Sequence, residues 1–418
     1  MLSGLAPIAI LRIKGKEILQ PWALFSFAQF FGMGFSLLKL QKTMSDPMLL
    51  TWIVFFSFNF AFLLGCLLAH ASVWNRRQAI PRKILENEND RPLIALLVLV
   101  VLFSGGLANG YHAAGGWPLL LEEVQTGRNA FFGINLFGNF LLQLSYPVAS
   151  ISAFLMFRGR SWQRWLARAI WAAVPMIFIL CAARNMILYS LFSFAFAWEV
   201  ERRPLRLRWA ILGTVGFVAM FAWTLASRMG IGIGKAIDMV MRQGGLLKLA
   251  LDPVYAYVAN NLWNLDFALN RMDGPMGHPV SWGYGTLQGL TFYLNQNVRI
   301  EKSMGFDGLL NEASQKVFGL NTVSYQWTLY RDFGVALSLI LLVMLGFVAS
   351  RAYLDAMAKK TRIGMYFGAY ASFWSMYALF LFPLSAAQNV VYLVIAIFLW
   401  PFLKLQSNGD GLVLKVNR

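Results

Sequence analysis

Long apolar stretches separated by short, mostly basic turns set the pattern of this chain. A membrane-crossing helix needs about 20 mostly apolar residues. Ten stretches approach that length, at roughly 21–40, 49–68, 93–110, 134–157, 169–183, 185–200, 209–227, 333–350, 363–382 and 388–405. Two of them, 169–183 and 185–200, are short and read as a bent pair. Residues 5–11 read as the remnant of another span, cut off by Arg12, Lys14 and Lys16. No small-residue cleavage pattern follows, so a removable signal peptide is not expected. The pattern predicts an all-α polytopic membrane protein with about ten transmembrane helices, or eleven to twelve.

The polar interruptions are unequal, and no internal repeat of fixed period is present. They divide the chain into spans over 1–227, a long outer loop over 228–325, and spans with a tail over 326–418. A smaller outer segment, 109–133, holds Gly-Gly-Trp-Pro (115–118), Glu122-Glu123 and Gly127-Arg128-Asn129. It reads as a re-entrant or surface-lying turn followed by a short helix. The long loop, of about a hundred residues, exceeds what an unstructured connector reaches in a compact protein and therefore carries structure of its own. Residues 235–251 suit an interfacial helix, 253–272 a second helix started by Pro253, and 274–289 an irregular Gly- and Pro-containing stretch.

Composition agrees with a membrane protein: 58% of residues are apolar and 13% are charged. Lysine and arginine then orient the spans, because they accumulate on the cytoplasmic side. With the N-terminus inside, 23 of the 36 basic residues fall in inner segments. The other 13 lie outside, where orientation does not explain them. The net charge of +17 is therefore largely a topology signal, and nucleic acid is not an expected partner. Cys66 and Cys181 fall at different depths and are not expected to pair. No Asp-x-Asp pair occurs, so the usual carboxylate clamp for a metal-bound sugar nucleotide is missing. Neither a metal nor a cofactor is expected.

The outer loop is nearly neutral, with eight bases against seven acids. Arginines such as Arg271 and Arg299 lie among aromatic residues (Trp263, Trp282, Tyr284) and amides. That mixture suits a ligand with both phosphate and sugar, since guanidinium forks bind phosphate oxygens while aromatic faces and amides fit sugar rings. An ordinary solvated loop with paired charges has the same composition. Arg184 and Arg331 stand apart, because each lies at the outer edge of an apolar span, where charge is costly. As helix-end residues they also suit snorkelling to lipid headgroups, and Asp332 suits a helix N-terminus.

An ordered set of motifs joins these positions: Gly127-Arg128, Ala183-Arg184-Asn185, the long loop, and Asn321 followed by Tyr330-Arg331-Asp332-Phe333-Gly334. In this set the chain resembles the bacterial O-antigen polymerases, the oligosaccharide repeat unit polymerases of the inner membrane. The layout match covers most of the chain and the motif match about twenty-five residues. The resemblance implies a metal-independent GT-C-type glycosyltransferase with its active site at the periplasmic face. Its substrates are undecaprenyl-diphosphate-linked oligosaccharides, and the growing glycan is moved onto a new lipid-linked repeat unit. Diphosphate binding is then expected of Arg128, Arg184 and Arg331, with Arg271 and Arg299 as further candidates. Asp266, His278, Asp332 and Glu123 are the candidate bases, and Trp263, Trp282, Tyr284 and Tyr330 the candidate sugar contacts. Membrane lipid, a chain-length regulator and a flippase are the expected partners. An O-antigen ligase shares the layout and differs in acceptor. A polysaccharide or lipid transporter and an assembly scaffold are the non-enzymatic alternatives.

Overall fold

A computed structural model describes residues 2–13, 17–39, 46–74, 90–202, 216, 246–270, 286–293, 324–359, 361–379, 382 and 386–403. Except for Gly216, the predicted span at 209–227 lies outside the described residues, as does much of the outer loop. Every regular element among the described residues is helical.

The chain opens with α1 (Leu2–Ile13), α2 (Pro21–Ser36), α3 (Leu49–Trp74) and α4 (Arg91–Ala114). A short 3₁₀ turn at Pro118–Leu120 leads into α5 (Val124–Phe132). Next come α6 (Leu136–Gln143), α7 (Ser145–Arg158), α8 (Ser161–Leu180) and α9 (Arg184–Glu201). The outer region contributes α10 (Leu246–Asn270) and α11 (Gln288–Tyr293). The chain closes with α12 (Tyr325–Lys359), α13 (Arg362–Tyr377) and α14 (Ala387–Leu403).

Among the described residues, four helical stretches are long and apolar enough to cross a membrane: Leu49–Ser72, Arg91–Leu120, Leu136–Arg158 and Tyr325–Ala358. Gln388–Leu403 is a shorter apolar helix. Large apolar side chains on these helices point outward, among them Val101 (71% exposed), Ile340 (59%) and Ile397 (73%). Water disfavours such a surface and lipid accommodates it, so the molecule is a membrane protein. The expected remnant at 5–11 is part of α1, which packs against α2. The helix expected to start at Pro253 starts at Leu246 and takes in the end of the expected interfacial helix.

Two apolar cores organise the bundle. The larger is centred on α7, which is buried along almost its whole length. Its Ala149, Ser150, Ser152 and Ala153 are small enough to let neighbouring helices approach closely. A hydroxyl in such a core needs a partner. Ser150 Oγ lies 2.6 Å from the Tyr189 hydroxyl and 3.1 Å from that of Tyr392. Tyr366 and Tyr392 each donate to the other's backbone carbonyl, which ties α13 to α14. At the other end of α9, the buried Glu199 carboxylate accepts from the Ile18 and Leu19 amides at 2.8 and 3.1 Å. That fixes the chain as it enters α2.

The smaller core holds Phe25 of α2, Phe58 and Phe62 of α3, Leu265 of α10, and Tyr325 and Leu342 of α12. Here α3 and α12 cross in direct backbone contact. A Cβ at Gly65 would overlap the Val343 carbonyl, and one at Gly346 would overlap that of Phe62. Only glycine permits so close a crossing.

Candidate functional site

The motif Tyr330-Arg331-Asp332-Phe333-Gly334 lies at a break inside α12, where Gly334 adopts φ 64° and ψ −166°. That conformation is essentially restricted to glycine. Contacts on either side of it show what the break does. The Tyr325 hydroxyl donates to Asn59 Oδ1 at 2.8 Å, while Gly346 lies against Phe62, within one turn of Asn59 on α3. In a straight helix the twenty-one residue steps from Tyr325 to Gly346 would span about 31 Å. The chain therefore doubles back at Gly334. Ser338 Oγ donates to the Leu329 carbonyl at 2.8 Å and so joins the two arms.

Segment 325–333 is thus a short arm folded into the protein, and 335–359 is the long apolar helix. Gly346 faces Phe62 and Cys66, and Ser350 lies beside Cys66, so the long helix runs parallel to α3. Counting back from Gly346 puts the apex at Gly334 about 18 Å along the axis, level with the first turn of α3. There Arg331 Nε lies 3.5 Å from Asp332 Oδ1, with the two side chains 12% and 0% exposed. The Thr286 amide, just before α11, donates to Asp332 Oδ2.

Asp266, on α10, reaches the same end of α3. Its Oδ1 accepts from the Met48 amide and the Thr51 hydroxyl, both at 2.7 Å, and from Asn270 Nδ2 at 3.1 Å. A carboxylate in this place caps α3 and is favoured by the helix dipole. Its Oδ2 is buried and has no hydrogen-bond partner among the described residues. The neighbouring face of α10 is polar and buried, with Asn260, Asn261 and Asn264 beside Asp266. Trp263 is also buried and stacks on Phe267 at 6.0 Å, and Tyr330 stacks on Trp327 at 6.5 Å. On α11, burial pushes the Tyr293 hydroxyl above the usual tyrosine range.

A second group of candidates borders the larger core. Half-buried Arg128 lies on α5, its guanidinium 5.4 Å from the Phe132 ring centre. Glu123, just before α5, is exposed and its side chain does not cap the helix. Arg184 is the first residue of α9 and follows a turn in which Ala182 has φ +51°. Left-handed backbone is unfavourable for alanine by about 1 kcal/mol. A cation at a helix N-terminus also opposes the dipole. Local preference therefore does not account for either feature.

The structure brings Arg331 to Asp332, and Asp266 to the start of α3. Arg128 lies over Phe132, which packs on the larger core, and Arg184 begins α9. His278, Arg271, Arg299, Trp282 and Tyr284 lie outside the described residues. Sequence reasoning passed over Gln29 and Gln326, which are fully buried and joined by a 3.0 Å hydrogen bond. The signal was an amide isolated in the aromatic run Phe27-Ala-Gln-Phe-Phe31, since polar groups in apolar spans tend to have a task. Comparison with models of known families, with curated proteins and with solved structures returns no match.

Proposed function

We propose that this chain is a polysaccharide polymerase of the O-antigen type, a multi-pass glycosyltransferase of the bacterial inner membrane with its active site facing the periplasm. About ten spans hold it in the bilayer. Its donor is a growing glycan on undecaprenyl diphosphate, and its acceptor is the outermost sugar of a new lipid-linked repeat unit. The acceptor hydroxyl attacks the anomeric carbon of the donor. The bond from that carbon to the diphosphate breaks, and the lipid diphosphate leaves with the electron pair. The hydroxyl proton passes to a carboxylate, a role we assign to Asp332. Guanidinium groups stabilise the charge that develops on the leaving group, as fixed cations do in a site shielded from water. We assign this role to Arg331 beside Asp332, and keep Arg184 and Arg128, on other elements, as candidates for the same diphosphate.

The observation that carries this reading is the reversal at Gly334. It holds a largely buried Arg331–Asp332 pair level with the polar face of α10. Folding a short arm back into a bundle is favourable only where the protein covers its backbone, and membrane proteins use such broken helices to build binding sites. Asp266 then holds α10 in place through its cap on α3.

The test begins with a strain lacking the gene, which is expected to accumulate a single lipid-linked repeat unit. Incubated with that material alone, the purified protein should form a ladder of products. A single transfer that requires a different acceptor lipid would point to a ligase. No transfer and no accumulation would overturn the reading.

A further inference from the structure

Helix α8 starts with a row of arginines. Arg160 is its N-cap, and Arg164 and Arg168 follow at intervals of four, which sets them along one side of the helix. Like charges at that spacing repel, and a cation at a helix start opposes the dipole. The acids beside the start of α8 are already engaged. Asp90 Oδ1 accepts from Gln163 Nε2 at 2.7 Å and lies 4.0 Å from Arg160, while Glu201 pairs with Arg158. Among the described residues no carboxylate pairs with Arg164 or Arg168.

The outward face next to these cations suits a lipid. Trp162 and Trp165 are 55% and 67% exposed, and tryptophan on such a face marks the boundary between membrane and water. The Arg168 guanidinium lies over the Trp165 ring, 4.8 Å from its centre. Stacking occupies the face of a guanidinium and leaves its N–H edge for an acceptor. Beyond Arg168 the exposed positions are apolar, at Ala169, Ala172 and Met176. They carry the face about 12 Å further along the axis, most of the depth of one hydrocarbon leaflet. Arg184 follows the far end of α8, about 30 Å away along the helix, so these cations are separate from those assigned to the diphosphate.

We propose that Arg164 and Arg168, the latter held on Trp165, bind the phosphate of an anionic phospholipid whose acyl chains lie along Ala169 to Met176. The headgroup supplies the counter-charge that the neighbouring acids do not. A lipid also covers the apolar face, which a free phosphate would leave bare. This site does not depend on the polymerase reading.

The test uses the full-length chain in neutral detergent, titrated with phosphatidylglycerol or phosphatidylcholine, with bound lipid counted by native mass spectrometry. Wild type should bind phosphatidylglycerol about 30-fold more tightly than phosphatidylcholine, about fivefold for each arginine. The double variant Arg164→Gln/Arg168→Gln should bind the two lipids equally. Trp165→Leu keeps both charges but removes the stack, and should weaken phosphatidylglycerol binding about 3-fold. Excess inorganic phosphate should not displace the lipid. No lipid preference in wild type, or an undiminished preference in the folded double variant, overturns the proposal. Displacement by inorganic phosphate overturns it in favour of a free-anion site. Unaltered binding by Trp165→Leu does so in favour of diffuse surface charge.

Discussion

Oδ1 of Asp266 lies 2.7 Å from the Thr51 hydroxyl, and this contact joins α10 to the first turn of α3. The same oxygen also serves the Met48 amide and Asn270, so one atom meets three donors from two helices. Outer and membrane segments are thereby held in one arrangement.

Asp266→Ala leaves those donors unmet and should lower stability by about 3 kcal/mol. Asp266→Asn keeps an acceptor in place and should lower it by about 1 kcal/mol or less. Thermal unfolding in detergent measures both. Polymer is expected to persist in Asp266→Asn; its loss from a stably folded variant would make Asp266 a participant in the chemistry.

At Gly334 a Cβ would meet no neighbouring atom within 4 Å, so backbone conformation alone should decide the effect of substitution. Gly334→Ala should destabilise the reversal by about 1–3 kcal/mol and displace Arg331 and Asp332. Polymer yield should fall sharply while the protein still inserts into the membrane. Wild-type yield from Gly334→Ala would show that the apex geometry is not needed.

Arg331→Ala and Arg184→Ala should each reduce polymer formation by about 10²–10³-fold at normal protein level, the range seen when one transition-state donor is removed. Lysine should restore little, because it lacks the planar fork that meets two phosphate oxygens. Product ladders from membranes of equal protein content provide the measurement. Full-length polymer from both alanine variants would remove these residues from the diphosphate site.

Ala182 holds a left-handed backbone just before Arg184. Ala182→Gly should therefore stabilise the protein by up to about 1 kcal/mol and leave activity unchanged. A drop in the unfolding temperature would contradict the strain assigned to this turn.

Gly346→Leu should prevent α3 and α12 from closing, because any side chain there meets the Phe62 backbone. We expect loss of folded protein, seen as aggregation on size-exclusion chromatography. Ser338→Ala, which removes one hydrogen bond between the arms, should instead cost about 1 kcal/mol and leave the bundle intact.

The sequence by itself determined the class of molecule and the position of most described helices. Apolar runs of membrane length are a one-dimensional signal, readable without neighbours, because lipid rather than another helix solvates one face. It also singled out Tyr330 to Gly334 as unusual, since an Arg-Asp pair at the mouth of an apolar helix conflicts with its surroundings. Tertiary structure decided what that conflict is for. A reversal at Gly334 depends on contacts that bring Tyr325 and Gly346 within one turn of each other on α3, and nothing local in the sequence encodes that proximity. It likewise decided that Gln29 pairs with Gln326, nearly three hundred residues away, and that Asp266 caps α3. A buried polar group is specified by the partner it meets, and that partner becomes visible only once the chain is packed.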